Sequence, residues 1–311
     1  MKTKKIFRLA VILVAIAAFA VIGCKKDKKE DPTPDSSSMQ QLTKDQNEEE
    51  TSSNDALNDV SAVLSGGSAK SLEFLPCNAT IDSTTVINDS ITYHITYNGL
   101  NCNGTRNRVG QVEFIKKVGT YWAQAGTSVS VKFINLKITR IATGKSLTLN
   151  GNKVFTNVSG GLLINLGSGS TSIVHTAIGT LQATFDDGST RTWNINRKRT
   201  FTGTQGQILM TVDGQATVNG YNNLVVWGIN RNGEDFYSQI NQSVVHKQAC
   251  GWEPEAGVVV HQIPDNNKKV TVTFGFDDNN NPVPISGSSC ASRYRIDWEN
   301  NGHSGTAFLQ L

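Results

Sequence analysis

The segment "RTWNINRKRTF" holds the densest group of chemically versatile side chains in the sequence. If it alternates as a strand does, Arg191, Trp193, Arg197 and Arg199 share one face. Guanidinium groups bind carboxylates and phosphates in a fixed geometry, and they stack on aromatic rings. The face therefore predicts a possible ligand surface for glycans or lipid A phosphates. The alternative is a cross-strand ladder, in which arginine stems pack on Trp193 and the guanidinium groups pair with acids on neighbours.

The remaining reactive side chains form no pattern that a known reaction requires. The sequence contains no G-x-S-x-G, no H-E-x-x-H, no P-loop and no dinucleotide fingerprint, and its five histidines are scattered singly. Glu253 and Glu255 are the carboxylate pair closest to a glycosidase arrangement, but two acids near a turn are usually solvated charges. We therefore predict no catalytic residue, no metal site and no cofactor.

Five cysteines stand in the sequence, and four of them lie in the main part of the chain. In an oxidising compartment, an even number of cysteines indicates two disulfides, and four cysteines allow three pairings. We favour Cys77–Cys102 and Cys250–Cys290, because each pair closes a short loop around one or two strands. A metal site is the alternative, but C-x-x-C and a histidine pair at ligand spacing are both absent from the sequence.

The fifth cysteine, Cys24, ends an N-terminal segment of the targeting type. A basic start is followed by the apolar run 9–22, which is shorter than the ~20 residues that span a membrane. The run ends in Val-Ile-Gly-Cys, which resembles the bacterial lipobox. We expect residues 1–23 to be a lipoprotein signal peptide and Cys24 to carry the acyl chains that hold the protein on a membrane. An ordinary signal peptide with a chance cysteine, or a short anchor helix, is the alternative.

The residue after Cys24 bears on the membrane that the anchor would enter. It is Lys25, whereas retention in the inner membrane usually requires Asp there, so the outer membrane is favoured. The following "KKDKKEDP" is similar to the charged export tags of surface lipoproteins, although a plain linker would look alike. The periplasmic side and the cell surface both stay open.

The elements that must position these residues fall into two regions. Residues 24–72 carry six Lys/Arg against ten Asp/Glu and few large apolar groups, so we expect a disordered acidic tether. Within it, "NDALNDVSAVL" predicts one short helix, because Leu57, Val60 and Leu64 share a face. Residues 73–311 form the second region, and there the apolar pattern changes to a period of two.

The second region predicts an antiparallel, hairpin-rich all-β domain. "SITYHITYN" and "KKVTVTFGF" alternate cleanly, and eight Asn-Gly or Asp-Gly pairs supply the positive φ of hairpin turns. "SVSVKFINLKITRI" slips by one residue at its centre, which indicates a β-bulge. A β-sandwich and a long curled β-meander both satisfy this pattern, and the sequence leaves the choice open.

The charge balance excludes one class of partner. The chain has 29 basic and 26 acidic residues, a formal net charge of +3. A nucleic-acid binder would concentrate basic residues in a stripe, which this composition does not provide. We therefore expect no nucleic-acid partner.

Several longer segments together resemble a known group. The lipobox, "YNGLNCNGTRNRVGQVEF", "GKSLTLNGNKVFTNV" and "DDGSTRTWNINRKRTF" resemble uncharacterised β-rich outer-membrane lipoproteins of Bacteroidota. Near the C-terminus, "NNNPVPISGSSC" keeps a cysteine but lacks the Gly-Asp-Gly-x-Cys-Asp turn of that group. The resemblance implies location and fold class, and it brings no established activity.

The sequence thus favours a membrane-anchored envelope lipoprotein that acts as a non-enzymatic binding or structural module, with a glycan as one possible partner. A cell-envelope or glycan hydrolase is the first alternative, and an Asp/Glu pair in a cleft would favour it. An accessory subunit bound to an outer-membrane protein is the second, and a large exposed apolar patch would favour that reading.

Overall fold

The computed structural model describes residues 34–65, 76–83 and 86–311, with side chains from residue 37 onward. The predicted signal peptide, Cys24 and the charged segment that follows it lie outside the described residues. Residues Ser38–Leu311 form one compact unit, and Pro34–Ser37 are the described part of the unit before it.

One long helix, α1, precedes the sheet and corrects the prediction of a disordered tether. It runs over Pro34–Ser65, so residues 34–54 are helical instead of disordered, and the predicted short helix is only its last third. Met39, Leu42, Leu57 and Val60 are at most 3% exposed. Many polar side chains of α1 are buried as well, and they pair with arginines of the sheet. Composition underestimates such a helix, because it counts apolar burial and not the partners that polar groups find.

In the described residues after α1 there are fifteen strands, with three short 3₁₀ helices between them at Leu163–Asn165, Gln248–Cys250 and Pro264–Asn266. The strands are β1 (Ala79–Ser83), β2 (Ser90–Leu100), β3 (Arg106–Lys117), β4 (Thr127–Arg140), β5 (Ser146–Asn157), β6 (Ser172–Phe185), β7 (Thr190–Thr202), β8 (Leu209–Gly214), β9 (Ala216–Val218), β10 (Tyr221–Ile229), β11 (Asp235–Lys247), β12 (Pro254–Ile263), β13 (Lys268–Phe276), β14 (Arg293–Asn300) and β15 (His303–Gln310).

All fifteen strands belong to a single antiparallel sheet. Its order follows the chain from β1 to β7 and again from β10 to β15, while β8 pairs with β7 and β11, and β9 pairs with β10. The predicted all-β antiparallel class is confirmed, and the sheet is a long meander. It curls around α1, since distant parts of the sheet touch: Arg106 of β3 lies 2.9 Å from Glu253, which precedes β12.

The Asn-Gly and Asp-Gly pairs form turns at five of the eight predicted sites and lie inside strands at the other three. Asn103-Gly104, Asp187-Gly188, Asn219-Gly220, Asn232-Gly233 and Asn301-Gly302 connect successive strands. Gly151 lies inside β5 instead, where a Cβ would collide with the carbonyl oxygen of Thr180. The predicted bulge in β4 is confirmed between Phe133 and Leu136, and the amide nitrogen of Asn135 there donates to Asn150 Oδ1 at 2.9 Å.

The inner face of the sheet and α1 together form the hydrophobic core. Alternate residues of the long strands point inward, so that Val131, Phe155 and Phe201 are fully buried. Both predicted disulfides are confirmed, with Cys77–Cys102 and Cys250–Cys290 at bonding distance. Among the described residues, no helix combines the length and the apolar character that crossing a membrane requires.

Candidate functional site

The predicted ligand face lies inside the molecule. Arg191, Trp193, Arg197 and Arg199 do share one face of β7, and each is at most 1% exposed. This is the inner face of the sheet, and α1 covers it. No external ligand reaches these four side chains while α1 occupies the interior.

Residues of α1 bind the arginines of β7. Arg191 lies 3.1 Å from Glu49 and donates from Nη2 to Gln46 Oε1 at 2.6 Å. Arg197 lies 3.4 Å from Glu50. Arg199 donates to Asn58 Oδ1, and it lies over the ring of Phe201 at 5.0 Å. The acidic partners that a cross-strand ladder requires are therefore supplied by the helix.

The same pairing continues across other strands, and we call the whole set the helix–sheet ion network. Arg108 of β3 lies 2.6 Å from Asp59 and over the ring of Tyr97, whose hydroxyl donates to Asp59 at 3.0 Å. Lys153 of β5 donates to Ser53. The sequence carried a signal for this network: the 32 residues of α1 contain seven acids and one lysine, which complement the basic strand β7.

Burial shifts the pKa of several groups in this network. Desolvation raises the pKa of Glu49 to about 8, although nearby Arg191 opposes the shift. Desolvation likewise raises the pKa of Asp55 to about 7, against the pull of Arg106. The pKa of Arg199 is lowered to about 9, first by desolvation and then by the nearby charge of Arg197. These shifts show that burial disfavours the charged forms of these three groups.

A buried serine–histidine pair, which the sequence did not reveal, lies between β11 and β12. Ser238 Oγ is 2.8 Å from His261 Nδ1, and the two residues are neighbours in register. The pair looks like a nucleophile with its base. Both side chains are at most 1% exposed, and desolvation, followed by Arg191, lowers the pKa of His261 to about 3. A substrate cannot approach the hydroxyl, so the pair stabilises the core.

Glu253 and Glu255 do not form a catalytic pair. Glu253 binds Arg106 at 2.9 Å, whereas Glu255 is 1% exposed and accepts a hydrogen bond from the amide nitrogen of Ala291 at 2.8 Å. Burial raises the pKa of Glu255. Glu255 lies within 4.8 Å of the sulfurs of Cys250 and Cys290, but the disulfide removes the thiolates that a metal would need.

An open groove with an aromatic wall lies near the start of β13 and the end of β14. It has a volume of about 560 Å³, and we name it the Tyr221 groove. Its polar lining includes Gln262, Asn267, Lys268, Lys269, Glu299, Asn301 and His303. This volume falls in the range of ligand sites in proteins.

The wall of the Tyr221 groove is rigidly supported. The ring of Tyr221 stacks on Tyr237 with centroids 4.4 Å apart and an interplanar angle of 19°. Asn219 donates to the hydroxyl of Tyr237 at 2.6 Å. Strand β9 pairs with β10 and lies off the main path of the sheet, and Tyr221 at the start of β10 lines the groove.

Two successive side-chain hydrogen bonds hold Gln262, which lines the groove, in place. Gln262 donates to Gln239 Oε1 at 2.7 Å, and Gln239 donates to the carbonyl oxygen of Asn222 at 2.8 Å. The exposed side chains of Lys269, Glu299 and His303 supply further donors and acceptors at the rim. The groove thus combines one aromatic face with polar groups that include both hydrogen-bond donors and acceptors.

Comparison of the chain with models of known families, with curated proteins and with solved structures finds no match. The function is therefore argued from the geometry of this chain and from its own sequence. Two features carry that argument: the Tyr221 groove and the N-terminal segment that resembles a lipobox.

Proposed function

We propose that the protein is a lipid-anchored module of the bacterial outer membrane that binds glycans through the Tyr221 groove. It acts by binding and not by catalysis. Cys24 carries the acyl chains, and the domain is held at the periplasmic side or at the cell surface. The main support for a binding role is the ring of Tyr221, which stacks on Tyr237 and lies beside amide and charged side chains in the groove.

The chemistry of the groove matches a sugar. One side of a pyranose ring presents C–H groups that pack on an aromatic face, and its hydroxyls both donate and accept hydrogen bonds. Tyr221 offers such a face, and its stacking on Tyr237 removes the entropic cost of ordering the ring on binding. Amides and charged groups around it reach the hydroxyls.

The anchor is supported by the N-terminal sequence and by the disulfides. A basic start, a short apolar run and Gly23-Cys24 form the pattern of an acylation site. Two disulfides persist only in an oxidising compartment, which agrees with export across the inner membrane.

Substitution of Tyr221 tests the glycan site. We expect the wild-type chain to bind one class of oligosaccharide on an array of bacterial and host glycans. Tyr221→Ala should weaken that binding by about tenfold, because one aromatic contact contributes about 1 kcal/mol or more. Isothermal titration with the best oligosaccharide of the array measures the loss.

Tyr121→Ala is the matched control for this substitution. Tyr121 is 65% exposed and lies between β3 and β4, outside the lining of the groove. The control should bind as the wild type does. Equal affinities of the Tyr221→Ala and Tyr121→Ala chains would exclude the groove as the glycan site.

Substitution of Cys24 tests the anchor. In cells fed with labelled palmitate, we expect the wild-type chain to be labelled and to sediment with membranes. Cys24→Ala should be unlabelled and soluble, because the remaining four cysteines are paired in disulfides. Continued labelling of Cys24→Ala would refute acylation at this residue.

A further inference from the structure

A second and larger pocket opens beside the first turns of α1. Its volume is about 1080 Å³, and we name it the mouth pocket. It is bordered by α1 from Gln41 to Glu48, by the β4–β5 and β6–β7 turns, by Arg231 and by the last residues of the chain, Phe308 to Leu311. The Tyr221 groove shares none of these residues.

Part of the mouth pocket is a rigid ionic wall. Arg231 lies 2.6 Å from Asp45 and 3.1 Å from Asp187, and its guanidinium carbon is 3.2 Å from the ring centroid of Phe185. Glu48 pairs with Arg106 at 3.4 Å and with Arg140 at 3.8 Å. These acids are therefore neutralised by arginines.

Two lysines of the mouth pocket have no such partner. Lys44 of α1 and Lys145, just before β5, are exposed and form no ion pair within the described part of the chain. Arg293 adds a third cation, which donates to the neutral Asn280 at 2.6 Å. Of the acids that line the pocket, Asp186 alone lacks an ion pair with a described residue, and the lining carries five basic against four acidic side chains, a formal net charge of +1.

Apolar side chains line the same pocket. Leu147 and Phe185 are buried, while Phe308, Leu309 and Leu311 are half-buried and line the same pocket. An acyl chain on these side chains would bury apolar area at roughly 25 cal/mol per Å². The pocket therefore presents the two halves of an amphiphile site, a cationic rim and an apolar surface.

We propose that the mouth pocket binds a lipid with a phosphate headgroup and a single accessible acyl chain. Lys44, Lys145 and Arg293 contact the phosphate, and Phe308, Leu309 and Leu311 contact the acyl chain. The ligand is a membrane amphiphile and not a free phosphate ester. The site is separate from the Tyr221 groove and gives the module a second ligand of another chemical class.

The test uses the chain from residue 24 onward with Cys24→Ala, which keeps every residue that the structure describes. Isothermal titration with lysophosphatidylglycerol, below its micelle concentration, should show one molecule bound per chain. Lys44→Glu with Lys145→Glu should weaken this binding tenfold or more, because each cation near a lipid phosphate contributes about a factor of five. Lys132→Glu with Lys137→Glu makes the same charge change on exposed positions of β4 outside the pocket and should leave affinity unchanged.

Three results would overturn the proposal. They are no binding of lysophosphatidylglycerol, equal weakening by the two double substitutions, or undiminished affinity for glycerol 3-phosphate, which would indicate a free phosphate ester. A monoacylglycerol without phosphate should bind more weakly than the lysophospholipid. Since this chain lacks the anchor and keeps Tyr221, failure here is distinguishable from failure of acylation or of glycan binding.

Discussion

Glu49 and Arg191 form the most deeply buried ionic contact between α1 and the sheet, with side chains 1% and 0% exposed. Neither carboxylate oxygen of Glu49 accepts a well-aligned hydrogen bond from the described residues. Desolvation therefore outweighs the attraction of Arg191 and raises the pKa of Glu49 to about 8. The contact orients the helix, and its net contribution to stability depends on pH.

This shift predicts that Glu49 destabilises the fold increasingly as pH rises. Between its ordinary value of 4.5 and about 8, folded Glu49 holds a proton that the unfolded chain has released. The free energy of unfolding thus falls with rising pH, by at most about 1.4 kcal/mol per pH unit. Relative to Glu49→Gln, the wild type should lose stability between pH 5 and pH 8 in urea unfolding.

Two comparisons isolate this effect. The pKa of His175, His246 and His261 is lowered, chiefly by desolvation, so stability falls as pH drops below 6.5. Wild type and Glu49→Gln share these histidines, and their contribution cancels in the difference. Glu299 is exposed, and Glu299→Gln should follow the wild-type profile. A pH-independent difference between wild type and Glu49→Gln would contradict the prediction.

At the scale of the element, α1 is the part of the fold that the sequence predicts least well. Its apolar residues are sparse, and its acids read as solvated charges until their partners on the sheet are known. The strands were predictable because a period of two survives in single segments such as "KKVTVTFGF". The arginine face of β7 was also predictable. Its pairing with α1 was not, because residues such as Arg191 and Glu49 are distant in sequence.

Truncation of one helical side chain tests whether α1 is docked. Leu57 is 0% exposed, and Leu57→Ala should lower the free energy of unfolding by about 2–5 kcal/mol through lost burial and a cavity. Leu100 of β2 is 41% exposed and offers the same substitution, with an expected loss under about 1 kcal/mol. Chemical denaturation compares the two chains. Equal, small losses would show that the helix does not pack on the sheet.

At the scale of the whole molecule, the described strands form one continuous sheet whose inner face packs on α1, so the binding surfaces that we propose lie away from that inner face. The cysteine pairing was predictable because short loops favour neighbours in sequence, and each bridge closes a loop of 25 or 40 residues. The Tyr221 groove and the mouth pocket could not be predicted from the sequence, because their walls come from segments far apart along the chain. Tyr221 and Lys44 carry no local signal that distinguishes them from other surface residues.

The position of α1 at the start of the chain has a consequence for the order of assembly. Asp45 binds Arg231, which lies 186 residues later in the chain, and Glu48 binds Arg106 of β3, which is also synthesised after the helix. During vectorial synthesis the helix segment therefore emerges before every strand of the sheet and completes its contacts among the last. A segment with seven acids stays compatible with water throughout that delay. The polar composition of α1, which makes it resemble a tether in the sequence, suits a segment that is synthesised early and buried late.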